Sequence, residues 1–277
     1  MVINRLLIIA VIAVTSLLFP CTSAIAKSDP DKKIPTLKIA VAANFATTID
    51  KLLLEFAKTH PHTPQVSVAS TGVLYQQIRH GAPFDIFFAA DIKRPALIEE
   101  QNLVFEQYRK TYAIGQIALW SATASEQISF NDLIEHQGRI ALAAPHIAPY
   151  GRAAKQALMD KDLWGKYHNN IIVGNNINQT LQQTLTGAVK YGFISYSQLL
   201  NTKTGFGELV DINTYEPIEQ QMVVLKNAQN IEVATKLFEF ILSTKGQKII
   251  AQNGYLPAIN VDKNHSWLPA KANALDP

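Results

Sequence analysis

The sequence predicts an α/β protein built of two doubly wound lobes, and three observations carry that expectation. From Leu37 onward, short β-rich runs alternate with stretches whose apolar residues recur at helical spacing. After Asp85 the run through Ala90 is continuously apolar rather than alternating, as in a parallel strand buried on both faces. The same rhythm begins again near Tyr112. Strands separated by helices pair in parallel through right-handed crossovers, which places helices on both faces of a sheet.

Taken in order, Leu37 to Ala42 reads as a strand, and Thr47 to His60 sets Ile49, Leu52, Leu53 and Phe56 on one helical face. Val66 to Ala69 is the second strand. The helix through Leu74, Ile78 and His80 stops at Gly81, a residue that readily takes the left-handed conformation ending helices. Phe84 to Ala90 is the third strand. Further strands are expected at Ile114 to Trp120, Arg139 to Ala143, Ile171 to Val173 and Gly192 to Ser195, with helices at Arg152 to Met159 and Gln179 to Val189. After Tyr215-Glu216-Pro217 come one more strand, Gln221 to Leu225, and two helices, Ile231 to Ser243 and Gly246 to Gln252. These are too few for another sheet and are expected to return to the first lobe. Lobe I is then 36–111 plus 221–260 and lobe II is 112–220, with crossovers near Arg109 to Tyr112 and Glu216 to Gln221. Two crossovers make a hinge. The polar tail, 261–277, reads as an extended end.

The first 26 residues read as an export signal: a positive start through Arg5, an apolar run from Leu6 to Leu18, and Ala24-Ile25-Ala26 as a cleavage site. That run is shorter than the roughly 20 residues that span a bilayer. Cleavage near Ala26 removes Cys21, the one cysteine, which excludes disulfides and thiolate metal sites from the mature chain. Of the 25 Lys and Arg residues only Arg5 precedes Lys27, so 24 basic face 22 acidic residues. They are scattered, which argues against a nucleic-acid surface.

Four segments share one grammar, a β-like run, a small or hydroxylated residue, then a helix: Val41-Ala42-Ala43-Asn44-Phe45, Ala69-Ser70-Thr71-Gly72, Ile147-Ala148-Pro149-Tyr150-Gly151 and Asn175-Asn176-Ile177-Asn178. Each builds a helix start, where unpaired N–H groups and the positive end of the macrodipole favour an anion without any formal positive charge. In open α/β sheets ligands sit beyond the carboxyl ends of the strands. Asn44 and Thr71 occupy that position in lobe I, and Tyr150 and Ile177 in lobe II. Any one segment alone reads more simply as a cap or a turn. Their recurrence at corresponding strand ends of both lobes favours a cage for a small oxyanion.

Signals for catalysis are thin. The seven histidines are dispersed, and Pro61 separates His60 from His62, so no helical metal pair forms. No nucleophile elbow, phosphate-binding Lys loop or dinucleotide glycine motif occurs. Asp85 and Asp91 stand roughly 20 Å apart along a strand, too far for paired acid/base work; Asp91 is expected to cap the helix beginning near Pro95. Trp120, Trp164 and Trp267 read as core or hinge packing.

These segments, with Gly81-Ala82-Pro83-Phe84-Asp85, Ala89-Ala90-Asp91 and Tyr191-Gly192-Phe193, resemble the periplasmic molybdate-binding proteins of ABC transporters from about Leu37 to Tyr255. The resemblance implies a type II periplasmic-binding-protein fold and a monomeric, non-enzymatic solute-binding protein without a cofactor. It further implies a periplasmic location, molybdate or tungstate as ligand, and the membrane permease of an ABC importer as partner. It assigns the oxyanion to Asn44 with Ala43, to Thr71 with Ser70 as neighbour, and to the backbone N–H groups of Tyr150 and Ile177. Many members carry a Tyr where this chain has Ser195, which leaves Ser195, Tyr150 or Tyr196 to supply that hydroxyl.

Burying a dianion costs tens of kcal/mol unless donors meet it. Roughly six or seven charge-assisted hydrogen bonds of about 1.5 to 3 kcal/mol each give the right order of compensation. No Asp or Glu stands in the four segments, so a protonated phosphate finds no acceptor, and cavity size would separate molybdate and tungstate from sulfate. The alternatives are a binding protein for sulfate or another small oxyanion, and an exported hydrolase, for which no nucleophile and base are found.

Overall fold

The computed structural model describes residues 34–258. The export signal, Cys21, the 261–277 tail and Trp267 lie outside the described residues.

In chain order the elements are β1 (Thr36–Ala42), a 3₁₀ turn (Ala43–Phe45), α1 (Ala46–Phe56), β2 (Thr63–Ala69), α2 (Thr71–Arg79), β3 (Ile86–Phe88), α3 (Lys93–Glu100), β4 (Val104–Gly115) and β5 (Ile117–Ser121). There follow α4 (Asp132–Glu135), β6 (Ile140–Ala143), α5 (Pro149–Asp160), α6 (Trp164–Tyr167), β7 (Ile171–Gly174), α7 (Ile177–Leu185), β8 (Tyr191–Ser195), α8 (Tyr196–Asn201) and β9 (Phe206–Leu209). The described chain ends with a 3₁₀ turn (Ile212–Thr214), β10 (Ile218–Leu225), α9 (Ile231–Leu242), α10 (Thr244–Gln252) and β11 (Leu256–Pro257).

Two mixed sheets result, one ordered β11-β4-β10-β3-β1-β2 and the other β7-β6-β8-β5-β9. In each, one strand lies in parallel between the next two of its own kind: β1 between β2 and β3, β6 between β7 and β8. The alternation of side chains along β1 and β3 explains the helices on both faces. Ile39, Val41, Ile86 and Phe88 pack with α1 and α9, whereas Ala40 and Phe87 face Leu74 and Ile78 of α2 and Ile98 of α3. The second sheet repeats this, with Ile140 and Leu142 against Ala153, Ala154 and Ala157 of α5 on one face. Ala118 and Trp120 pack with Leu181 of α7 and Leu199 of α8 on the other. The central strands of each sheet are thus covered by helices on both faces, while the edge strand β2 stays largely exposed, and the buried apolar area stabilises at roughly 25 cal/mol per Å².

The expected strand Ile114 to Trp120 is two strands in different sheets. β4 ends at Gly115 and β5 starts at Ile117, and the buried Gln116 carries the chain across. Apolar residues on both sides of Gly115-Gln116 hide that break. Arg109 to Thr111 accordingly lie within β4, with Arg109 opposite Val223 and Thr111 opposite Gln221. The change of sheet comes at Gln116 and, on the return, before Ile218. The two helices after β10 pack on the first sheet, through Leu237 and Ile241 of α9 and Ile250 of α10. Among the described residues no helix is long and apolar enough to cross a membrane.

Candidate functional site

Because the helices leaving β1 and β2, and those leaving β6 and β7, diverge to opposite sides of their sheets, the carboxyl ends of these strands stay open. The two openings face each other. Ala42, Ala43, Asn44, Ser70, Thr71 and Ala90 of the first lobe and Ala148, Pro149, Tyr150, Asn176 and Ile177 of the second line one pocket of about 210 Å³, counting space open to solvent. All four segments singled out in the sequence therefore meet. No Asp, Glu, Lys or Arg lines this pocket.

What lines it are hydrogen-bond donors without partners. At α7 the Asn176 carboxamide oxygen accepts from Asn178 N (3.0 Å) and Gln179 N (3.1 Å), which satisfies the second and third amides and leaves the first, Ile177 N–H, unused. At α5, Pro149 has no N–H and Arg152 N donates to Ala148 O (3.1 Å), so Tyr150 and Gly151 hold the unpaired amides. The turn after β1 leaves Ala43 and Asn44 N–H without intrahelical partners. At α2, Gly72 N donates to Ile147 O (2.9 Å), and Thr71 N–H remains.

Two hydroxyls add to these amides. Ser70 precedes α2 but makes no capping bond, and its Oγ is buried with no partner. A buried hydroxyl left unpaired costs about 1 to 3 kcal/mol, which a ligand oxygen would recover. Thr71 Oγ1 accepts from Ala90 N (3.0 Å), so its own proton is free to donate.

Asn44 and Tyr150 differ from expectation in their side chains. Asn44 Nδ2 donates to Gln220 Oε1 (2.7 Å), with Tyr150 Oη and Tyr255 Oη at 3.2 and 3.3 Å, so this amide belongs to a buried network. Tyr255 Oη donates back to Asn44 O (2.7 Å) and Gln220 Nε2 reaches Tyr150 Oη (3.4 Å). The Tyr150 phenol sits where a Cβ at Gly115 would overlap it. What Asn44 and Tyr150 turn toward the pocket is therefore main chain. Ser195 is fully buried but does not line the pocket; it caps α8, its Oγ accepting from Gln198 N (3.2 Å) and its N–H donating to Gln198 Oε1 (3.0 Å). The adjoining Tyr196 does not line it either. A serine followed three residues later by glutamine is a capping box, legible as such.

Burial pushes the Tyr150 hydroxyl well above its ordinary range, and nearby Tyr255 adds to that. Tyr255 itself is pushed up to about 12 by burial, partly offset by its hydrogen bond from Asn44. A raised folded-state value means stability that is complete below the unfolded value near pH 10 and lost as pH rises through about 12. Thermal unfolding followed by phenolate absorbance should therefore show a flat melting temperature up to pH 10, then a steep fall that coincides with tyrosine ionisation. Ionisation of Tyr255 in the folded state near pH 10, identified as the signal lost in Tyr255→Phe, would contradict the buried network.

Of the other groups, Asp85 is fully buried and accepts from Lys38 N (2.7 Å), Gln229 N (2.7 Å) and Asn230 N (3.1 Å), tying β1 to the start of α9. Asp91 accepts from Arg94 N (3.0 Å) in the first turn of α3. No cluster of His, Cys, Asp or Glu among the described residues could hold a metal ion. Trp120 is core, whereas Trp164 is only partly buried. No sequence signal pointed to Gln220 or Gly115; Gly151 belongs to the Pro-Tyr-Gly segment, which marked it only as part of a helix start.

Residues 37–256 match the family of bacterial extracellular solute-binding proteins. The chain is 31% identical over 222 residues to the molybdate-binding protein ModA of Rhodobacter capsulatus, spanning 78% of this chain and 86% of that protein. To the ModA of Azotobacter vinelandii it is 32% identical over 224 residues, spanning 79% and 89% respectively. The solved structure of the Azotobacter vinelandii periplasmic molybdate-binding protein superposes with a TM-score of 0.75 at 33% identity, covering 79% of this chain and 98% of that one. With its two sheets, interlobe pocket and matched length, the chain belongs to the bacterial extracellular solute-binding proteins.

Proposed function

We propose that this protein captures molybdate, and tungstate by the same contacts, in the interlobe pocket and delivers it in the periplasm to the permease of an ABC importer. The observation that carries this reading is a pocket lined by unpaired donors with no carboxylate among them. Main-chain amides of Ala43 or Asn44, Thr71, Tyr150 and Ile177 and the hydroxyls of Ser70 and Thr71 would each address an oxyanion oxygen, and four helix starts add their dipoles. A lining of amides and hydroxyls without a carboxylate favours a fully deprotonated tetrahedral anion, because the O–H of a protonated phosphate would find only neutral hydroxyl oxygens, weaker acceptors than a carboxylate. The protein binds its ligand and does not transform it; no cofactor takes part, and a monomer suffices because one chain supplies every donor.

Molybdate or tungstate at 100 times its dissociation constant should stabilise the fold by about 2.7 kcal/mol. Thermal unfolding with molybdate, tungstate, sulfate and phosphate checks this, and an equal shift with sulfate would favour the sulfate-binding alternative.

Ser70→Ala separates binding from stability. It removes a hydroxyl that caps nothing and has no partner, so the ligand-free protein should be as stable as the parent or slightly more so. Binding should weaken by about 1.5 kcal/mol or more, roughly tenfold. Thr71→Val should cost 1.5 to 3 kcal/mol of binding, roughly one to two decades in affinity, and also destabilise by leaving Ala90 N–H unpaired. Should both variants titrate like the parent, the hydroxyls are not ligands.

A further inference from the structure

Outside the pocket, a second set of contacts joins the lobes. The segment between β6 and α5 leads into Tyr150 in the first turn of α5, whose amide is one of the pocket's donors, and two neighbouring carbonyls of that segment are held by groups from the first lobe. Gly72 N donates to Ile147 O at 2.9 Å, and Arg94 Nη2 donates to His146 O at 2.8 Å. A Cβ on Gly72 would come within 3.0 Å of Ile147, so only glycine lets the main chains approach without displacement.

Arg94 is an unusual residue to find here. It stands in the first turn of α3, where a cation meets the positive end of the helix dipole, and its side chain is only 12% exposed. Asp91 compensates on both counts. Its carboxylate accepts from the Arg94 amide (3.0 Å) and pairs with Nη1, and at 5% exposure it is itself nearly buried. The pair leaves one arm of the planar guanidinium, Nη2, aimed across the cleft. The Arg94 charge is thereby neutralised locally, and what reaches lobe II is an oriented donor.

We propose that Arg94, held by Asp91, is a positioning residue that clasps the His146 carbonyl in the closed form and so sets the residence time of the bound oxyanion. This rests on the oxyanion reading of the pocket. The clasp bridges elements of different sheets and can form only when the lobes meet. It therefore adds to the closed state a contact the open state lacks, and by that difference alone it favours closure and slows ligand escape. It touches no ligand atom. Encounter of the anion with the open cleft precedes the clasp, so association is unaffected while dissociation is slowed.

The test uses molybdate as probe, with calorimetric titration for affinity and stopped-flow tryptophan fluorescence for rates. Arg94→Ala should weaken binding about tenfold or more, nearly all of it as faster dissociation. Arg94→Lys keeps the charge and the pairing to Asp91 but lacks a second fixed arm, and should recover part of the loss. Lys93→Ala, which removes the same charge from an exposed neighbour, should behave as the parent. Parent-like dissociation in both Arg94 variants overturns the inference. So does equal weakening by Lys93→Ala, since net charge would then be the cause. A parent protein that binds no molybdate overturns the oxyanion reading itself, and this inference with it; the two failures show in different samples.

Discussion

Gly151→Ala is expected to lower oxyanion affinity by about one to two decades while the protein still folds. Gly151 lies in the first turn of α5, and a Cβ there would overlap the carbonyl oxygen of Ala143, the last residue of β6. Main chain cannot move aside as a flexible side chain can, so the helix start must shift away from the strand. Overpacking of this kind costs about 1 to 3 kcal/mol of stability. The ligand feels this as well, because the shift carries the unpaired Tyr150 amide out of line, and hydrogen bonds weaken steeply with geometry. One charge-assisted bond of about 1.5 to 3 kcal/mol is roughly ten- to a hundredfold in affinity. Calorimetric titration beside thermal unfolding measures both parts. Parent-like affinity in a destabilised variant would show that α5 contributes packing only.

The second large effect comes from deleting one N–H. Ile177 is the first residue of α7, a position that proline tolerates because its amide has no intrahelical partner. Asn176 before it is extended, at φ −156° and ψ 174°, which suits a residue preceding proline. Ile177→Pro therefore removes the single amide that the Asn176 cap leaves unused while keeping the helix. A dianion oxygen losing that donor should bind about 1.5 to 3 kcal/mol more weakly, roughly ten- to a hundredfold. Ile177→Ala retains the amide and serves as the reference for lost packing, since the side chain is itself buried. Equal affinities in the two variants would mean that this N–H does not meet the ligand.

Legibility in the sequence followed physical locality. β1, β2 and β3 and the helices after them announce themselves because burial on both faces and helical periodicity are written in consecutive residues. The four helix starts were equally plain, since each rests on one small residue at a strand end. β4 was not, because Phe105 to Thr111 mixes apolar and charged residues and runs past Glu106 at φ 47°, so strict alternation is lost where the strand bends. β4 and β5 merged in the reading because apolar residues flank Gln116. The Asn44 side chain was assigned to the ligand on its position alone, yet its partners Gln220 and Tyr255 are distant in the chain and carry no pattern that points to it. Ser195 was misplaced for the opposite reason, since the resemblance outweighed a local capping box. Gly151 could be seen as a turn residue, but its contact with Ala143 belongs to tertiary packing.

A lining of unpaired amides and hydroxyls with no carboxylate acceptor selects the fully deprotonated anion. One calorimetric experiment at neutral pH addresses it directly: titration with molybdate, then with phosphate, into the same ligand-free protein. Expected are tight stoichiometric binding of molybdate and no measurable heat of binding for phosphate at concentrations about a thousandfold above the molybdate dissociation constant, a gap of at least about 4.1 kcal/mol. Phosphate binding with comparable affinity would overturn this selection, because a protonated anion would then be held without a carboxylate acceptor as well as a fully deprotonated one.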